Sequence, residues 1–228
     1  MEGWQLGLVA VVVVGLAVIV LGAVRDRRIT ERRRREILAP PERTIPRFSP
    51  DAATPRYLSE LQARRPPVDA EPTDLSTAER DELQTALTGP DVTTIDSGYA
   101  SADLVTDPTT GWSVLRQPNV LVAEAAVTTI RELLGVLERQ IPTGRGLVVV
   151  APAIADELLA TFAVNHLQRV ITILPVVVTA EADRERIADA TGSQPASHAD
   201  LQSGYVPPGL LGTCATWVSS ARESHVVR

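Results

Sequence analysis

The chain has 228 residues, with 28 acidic side chains against 22 basic ones and a formal net charge of −6. This overall charge gives no indication of nucleic-acid binding. Every basic residue is Arg, and a chain without Lys lacks the phosphate-binding residue of a P-loop. The single cysteine, Cys214, excludes an intrachain disulfide and a multi-cysteine zinc site.

The N-terminal segment is typical of a membrane anchor. Residues 6–24, LGLVAVVVVGLAVIVLGAV, contain no charge, and as a helix they would span about 30 Å, the thickness of the hydrocarbon of a bilayer. Trp4 lies where an interfacial aromatic is expected. A cleaved signal peptide is the alternative, but Glu2 precedes the run and no small-residue cleavage pattern follows it. We therefore expect residues 1–25 to form a transmembrane anchor.

An arginine cluster, RDRRITERRRRE at residues 25–36, follows the apolar run. The positive-inside rule places this side in the cytoplasm. The sequence thus predicts a single-pass protein of the cytoplasmic (inner) membrane, with its N-terminus outside and its C-terminal domain in the cytoplasm. The cluster also suits contact with anionic head groups. Nucleic-acid binding is the weaker alternative, because no aromatic residues lie between the arginines.

Residues 26–72 read as a basic juxtamembrane segment and a proline-rich linker. Eight prolines between Pro40 and Pro72 interrupt any long helix. The stretch RYLSELQARR, residues 56–65, has room for one short helix within the linker. A spacer is favoured over a ligand for SH3-type domains, since the prolines are scattered.

A short helical lead-in is expected at residues 73–90. Ser76 and Glu79 have the spacing of a capping box, which predicts a helix over TAERDELQTAL. Gly89 and Pro90 end it.

Residues 91–228 mix strands and helices. The expected strands are 119–124, 146–152, 170–180 (one strand, or two divided by Pro175) and the closing region 211–227; the expected helices are 126–141, 156–169 and a short exposed helix, EADRERIADATG, ended by Gly192. Buried strands that alternate with helices predict an α/β domain, and the extra strands predict a mixed sheet.

The motifs of common enzymes are absent. No G-x-G-x-x-G follows a strand, and no G-x-S-x-G elbow occurs. The three histidines, His166, His198 and His225, are scattered and form no metal-binding pair. We therefore expect no enzyme, no catalytic residue, no metal and no cofactor, although a site assembled from distant residues escapes this search.

The helix that begins at Asp156 has more apolar surface than one buried face needs. Its apolar side chains sweep roughly two-thirds of the helical wheel, whereas a stripe that faces a core takes about 100°. In the preceding helix, Leu133 and Leu134 lie on opposite sides of the apolar arc. Two interpretations stay open: both helices are buried on several sides, or each buries one edge and presents another to a partner.

The run TIRELLGVLERQIPTGRGLVVVAPAIADELLATFAVNHLQRVITILPVV resembles the apical domain of the group I chaperonins, the GroEL family. Upstream, DSGYASADL resembles the R-G-Y-L-S-P-Y-F segment of that family. Downstream, IADATGSQ resembles its D-I-A-x-L-T-G-G stretch, and the closing strands are similar. The resemblance covers residues 91–228 and implies a chaperonin-apical-like fold, in which two parallel helices form a groove for non-native polypeptides.

By position, the resemblance implies a set of polypeptide-binding residues on the two helices and on the upstream segment. They are Tyr99, Leu104, Leu134, Leu137, Leu159, Ala163, Val164 and, at the rim, Asn165.

The chain also departs from the family. Asp103 stands where the family has Tyr, Ala163 replaces a larger Val, and the G-F-G-D-R-R loop is missing. The sequence shows no equatorial ATPase domain and no intermediate domain, so we expect no nucleotide. The expected function is ATP-independent binding of apolar, non-native or membrane-associated polypeptides. The rival is a membrane adaptor that binds one folded protein, which the charge of Asp103 favours.

Overall fold

A computed structural model describes residues 3–38, 63–67 and 74–228. It divides into two compact units, Met1–Arg56 and Tyr57–Arg228. The division falls inside the expected linker, most of which lies outside the described residues. The domain boundaries inferred from the sequence therefore stay predictions.

The first unit contains one helix, α1 (Gly3–Leu38), in its described part. Its side chains are described at Trp4 and at residues 13–31, where they are exposed. Among the described residues, no helix combines the length and the apolar window that a membrane crossing requires. The apolar run at 6–24 falls partly on residues 5–12, whose side chains lie outside the described part. The anchor, its orientation and the inner-membrane location stay predictions.

The described part of the second unit is a mixed α/β structure. Its helices are α2 (Thr77–Ala86), α3 (Ile130–Gln140), α4 (Asp156–Leu167), α5 (Glu181–Thr191) and α6 (His198–Ser203). Its strands are β1 (Val92–Ile95), β2 (Ser113–Arg116), β3 (Asn119–Val122), β4 (Leu147–Ala151), β5 (Ile173–Val177), β6 (Gly212–Thr213), β7 (Thr216–Ser219) and β8 (Ser224–Val227).

The strands form two sheets, where the sequence had predicted one mixed sheet. The first is antiparallel, with the order β1-β8-β7-β2, and the second has the order β5-β4-β3-β6. In the second sheet β3, β4 and β5 are parallel, and β6 runs antiparallel to β3. The mixed sheet is therefore confirmed, but the terminal strands build a separate sheet around the buried Trp217.

The parallel strands supply the centre of the core. All five residues of β4 are buried, as expected for a continuous run of Val and Leu in a sheet covered on both faces. The sequence left open whether Pro175 divides the strand expected at 170–180. In the structure β5 runs through Pro175 without a break. The carbonyl of Pro175 accepts a hydrogen bond from the amide of Ala100 at 2.9 Å, so its backbone polar groups face the outer edge, where a missing N–H is tolerated.

The capping box at the start of α2 is confirmed, because Ser76 and Glu79 exchange both capping hydrogen bonds. This helix is part of the domain and not only a lead-in. The guanidinium of Arg80 forms two hydrogen bonds to the carboxylate of Asp107, at 2.9 and 2.8 Å. Asp107 is fully buried, and the hydrogen bonds from Arg80 lower the pKa of its carboxyl group.

Helix α5 was expected to be exposed, and this was wrong. Ile187, Ala188, Ala190 and Thr191 are buried, and the helix packs against strands of both sheets. Its buried face is built mostly from small residues, which give a weak hydrophobic periodicity. The expected stop at Gly192 is confirmed, since that residue has the left-handed conformation with φ of 71°.

Candidate polypeptide-binding groove

Helices α3 and α4 begin at the same level. The backbone amide of Val127 donates to the carbonyl of Ala153, and the amide of Ala155 donates to the carbonyl of Val127, both at 3.0 Å. Helix α3 starts later than expected, at Ile130, because Glu132 folds back on the residues before it. Its buried carboxylate accepts hydrogen bonds from the amide and the hydroxyl of Thr128, at 3.1 and 2.8 Å.

The sheet order puts the two helices side by side. Helix α3 connects β3 to β4, and α4 connects β4 to β5, so both crossovers step in the same direction across neighbouring strands. Crossovers of this kind are right-handed, which places both helices on one face of the sheet. The helices therefore run in the same direction on one face of the sheet, and we call the surface between their facing flanks the furrow.

Helix α6 covers one flank of α3. A Cβ atom at Gly135 would lie 2.6 Å from the carbonyl oxygen of Gly204, which shows how closely the two backbones approach. Arg139, one turn later, donates to the carbonyl of Val206 and lies over the ring of Tyr205, 5.6 Å from its centroid. Since α6 leads to β6, beyond β3, this flank is the one that faces away from α4.

The opposite flank of α3 carries apolar side chains that water reaches. On a projection at 100° per residue, Ile130, Leu134 and Ile141 share this flank. They are 38%, 47% and 51% exposed. Leu137 lies next to them on the projection but points into the core, where it is 3% exposed.

Helix α4 has a different neighbour on each side. The segment around Tyr99 follows the outer edge of β5, where Tyr99 forms a bridge with Val176. This segment continues into the short 3-10 turn Ala102–Leu104, which contacts α4 on the side away from α3. Leu159 packs partly buried against the core on this side, and Ala163 projects in the same direction.

The flank of α4 that faces α3 carries Thr161 and Val164. Val164 is 39% exposed, and Thr161 is exposed with its hydroxyl bonded to the carbonyl of Glu157. We call Ile130, Leu134, Ile141 and Val164 the groove residues. In residues 74–228 the large apolar side chains that are described as exposed are these four together with Val170 and Tyr205.

The structure separates seven of the eight residues expected from the resemblance into three places, and Asn165 stands apart from them. Leu134 and Val164 lie on facing flanks of the furrow. Tyr99, Leu159 and Ala163 lie on the other side of α4, and Asn165 is half-buried, with its side chain bonded to the carbonyl of Thr161. Leu104 and Leu137 are core residues.

The burial of Leu104 and Leu137 corrects their expected place on the binding surface. Leu104 is fully buried, and Leu137 exposes only 3% of its surface. Neither side chain offers area to a partner in this structure. Polypeptide binding by the other six residues stays a prediction.

Sequence reasoning missed Ile130 and Ile141. Their signal is present in the chain, because residues 130, 134 and 141 repeat on one helical flank. They are the first residue and the C-terminal cap of α3, and the set of residues implied by the resemblance does not include them.

His166 lines a separate cleft with Arg116, Arg169 and Thr172. Burial lowers the pKa of His166, and the charge of Arg169 lowers it further. The described lining of this cleft contains no carboxylate that would pair with the imidazole as an acid or base.

No family model matches the chain. A curated relative, "Chaperonin GroEL" of Mycoplasma genitalium (strain ATCC 33530 / DSM 19775 / NCTC 10195 / G37), is 37% identical over 90 residues. The match covers 40% of this chain and 17% of the relative. The similarity supports a chaperonin-like domain in this chain, and the matched part spans about a sixth of the length of the relative.

Proposed function

We propose that the domain binds apolar segments of polypeptides, without nucleotide, metal or covalent chemistry, in the furrow between α3 and α4. The observation that carries this proposal is the set of exposed groove residues on facing flanks of two parallel helices. Exposed apolar surface of this kind marks interaction sites in soluble domains. The similarity to a chaperonin and the groove implied by the resemblance support the same function.

The expected affinity is modest. Each groove residue is already about half-buried, so covering it completely contributes about 1 kcal/mol. Four such side chains together contribute about 4 kcal/mol, which corresponds to a Kd of about 1 mM. Tighter binding of a long client would need additional contributions, from hydrogen bonds to the client's backbone and from a second client segment bound at the same time.

We further propose that residues 6–24 hold this domain at a membrane, with residues 91–228 in the cytoplasm. The uncharged run and the exposed apolar side chains between Val13 and Val24 support this anchor. An anchored domain meets membrane-bound clients at a high effective concentration, which compensates for a weak site. Protease added to inverted membrane vesicles should digest residues 91–228, and digestion only in right-side-out vesicles would reverse the orientation.

The test of the groove uses the full chain in lipid nanodiscs and a permanently unfolded probe, reduced and carboxymethylated α-lactalbumin labelled with fluorescein. Leu134→Glu with Val164→Glu should abolish the rise in anisotropy. The charge-matched control is Gln202→Glu with Tyr205→Glu, two exposed positions on the α6 side of α3, and it should bind like the wild type. Equal binding by both double variants would refute the groove.

The adaptor for one folded partner is the second candidate. It is favoured by Asp103, an exposed carboxylate in the segment beside α4, whose amide is capped by the hydroxyl of Ser101. A charged wall narrows the range of apolar clients. Binding of several unrelated unfolded proteins would support the general function, and binding of none of them would support the adaptor.

A further inference from the structure

The cleft that His166 lines is a second concave surface of the domain, and it is separate from the furrow. It has a volume of about 260 Å³, and its lining includes Arg116, His166, Arg169 and Thr172. His166 projects from the side of α4 that faces away from α3. We call this site, between β2 and the turn from α4 to β5, the arginine cleft.

Arg169 has a backbone conformation that is costly for a residue with a side chain. It directly follows Gln168, the C-terminal cap of α4, and has a φ of 57°, in the left-handed region. The amide of Arg169 donates to the carbonyl of His166, and the amide of Val170 donates to that of Asn165, both at 3.0 Å. Glycine usually occupies this position in such a helix end, as it does in α5 and α6. An arginine where glycine is favoured indicates a role for its side chain.

The end of α4 is fixed from its other side by the linker. The side-chain amide of Gln168 donates hydrogen bonds to the carbonyls of Ala63 and Arg65, at 3.2 and 2.7 Å. Gln168 projects from the furrow flank of α4, away from His166. The turn that carries Arg169 is therefore held by contacts that do not involve the lining of the arginine cleft.

Arg116 lines the cleft from β2, together with Val114 on the same face of the strand. The residue after it, Gln117, is the other non-glycine residue with a positive φ in the described part of the chain, at 47°. Nη2 of Arg116 lies 3.2 Å from Oε1 of Glu79, and both side chains are about half-exposed. An exposed ion pair of this kind contributes little, and it occupies one nitrogen of the guanidinium. Arg116 therefore keeps donors for a second anion.

The arginine cleft is electropositive. Its described lining holds two guanidinium groups and no carboxylate. Burial lowers the pKa of His166, and the charge of Arg169 lowers it further, which indicates that these two groups lie close together. His166 and Thr172 are side chains that also donate hydrogen bonds. Two guanidinium groups beside neutral donors suit an anion with several oxygens and more than one negative charge.

We propose that the arginine cleft binds a phosphate monoester. Arg116 and Arg169 bind the phosphate oxygens, and the organic part of the ligand packs against Leu75, Val114 and Ile171, the apolar part of the lining. A phosphate monoester carries a charge of about −1.5 to −2 at pH 7, which two guanidinium groups neutralise. This site is independent of the proposed function, because the cleft and the furrow lie on different sides of α4.

The test titrates the full chain, in phosphatidylcholine nanodiscs, with phenyl phosphate in a calorimeter. Arg116→Gln and Arg169→Gln should each weaken binding about tenfold, since each variant loses charge-assisted hydrogen bonds. Arg169→Gly takes the left-handed conformation without strain, so it should keep the fold and lose binding by the same factor. The matched controls, Arg131→Gln and Arg222→Gln, remove exposed arginines outside the cleft and should bind like the wild type.

A second ligand tests the phosphate chemistry. Benzoate has the same ring with a singly charged carboxylate, and it should bind about tenfold more weakly than phenyl phosphate because one of the two guanidinium charges stays unpaired. Binding of benzoate as tight as that of phenyl phosphate would overturn the choice of a phosphate monoester.

The phosphate monoester has two possible sources, a soluble molecule or the headgroup of phosphatidic acid. Nanodiscs in which part of the phosphatidylcholine is replaced by phosphatidic acid distinguish them, with phosphatidylglycerol, an anionic phosphodiester, as the control for surface charge. Weaker binding of phenyl phosphate in the phosphatidic acid discs alone assigns the cleft to the lipid headgroup. Equal binding in all discs assigns it to a soluble ligand, and both results support the site.

Two results would overturn the arginine cleft as a phosphate site. One is the absence of measurable phenyl phosphate binding by the wild type. The other is equal binding by Arg116→Gln, Arg169→Gln and the two control variants, which would place the phosphate outside the cleft.

Discussion

Leu134 and Leu137 give the most decisive comparison, because they are the same residue type on the same helix. Leu134 is 47% exposed and Leu137 is 3% exposed. Replacing Leu137 by Glu removes a fully buried side chain, which costs about 1.5–3 kcal/mol, and places a carboxyl group among apolar neighbours, which costs several kcal/mol more. The sum is comparable to the whole stability of a typical domain, about 5–15 kcal/mol.

Replacing Leu134 by Glu loses about half of one leucine burial, about 1 kcal/mol, and leaves the carboxylate in water. We therefore expect Leu134→Glu to fold and Leu137→Glu to be largely unfolded. Leu137→Ala, the milder variant, should lose about 2–5 kcal/mol and keep a measurable transition. Urea titration, followed by tryptophan fluorescence to which the fully buried Trp217 contributes, measures each free energy of unfolding. Equal losses in Leu134→Glu and Leu137→Glu would show that the assigned groove flank is wrong.

Three further predictions test the packing of the domain at other positions. Gly135→Ala should lower the free energy of unfolding by about 1–3 kcal/mol in urea titrations, because the new Cβ meets the carbonyl oxygen of Gly204 at 2.6 Å. This loss outweighs the gain of about 1 kcal/mol that Ala gives in a helix. A gain in stability would refute the close approach of the two backbones. Burial raises the pKa of the Cys214 thiol to about 12, so iodoacetamide should modify it at pH 8 only under unfolding conditions, and rapid labelling of the folded protein would contradict its burial. Arg80 lowers the pKa of Asp107 in the folded state, so the ionised carboxylate stabilises the fold above its ordinary pKa of 3.8, and this contribution is lost as the pH falls below that value. Asp107→Asn should therefore be less stable than the wild type at pH 7 and should lose less stability than the wild type between pH 5 and 3. Parallel profiles of stability against pH would contradict this.

Local patterns were sufficient for several elements of the domain. The capping box of Ser76, the buried strand β4 and the stop at Gly192 each depend on residues close together in the chain. Helix α6 had a comparable signal, because Ser197 and Asp200 form a capping box, but it is only six residues long. Short elements of this kind carry too little hydrophobic periodicity to be noticed.

The two sides of each helix were beyond sequence reasoning. The apolar arc of α3 is too wide for its pattern alone to show that Leu137 faces the core and Leu134 faces the furrow. That distinction depends on α6, which covers the flank of Gly135 and so fixes the rotation of α3. The contacts from Gln168 to the linker join residues more than 100 positions apart and left no local signal.

The most direct test of the account is cross-linking from within the furrow to an unfolded client. Full chains with benzoylphenylalanine at position 134, 164 or 205 are irradiated with unfolded α-lactalbumin in lipid nanodiscs, without nucleotide. The account predicts cross-links to α-lactalbumin from positions 134 and 164, and none above background from position 205, which lies on the far flank of α3. Equal cross-linking from all three positions, or cross-linking from 205 alone, would contradict the claim that the two facing helices bind the client.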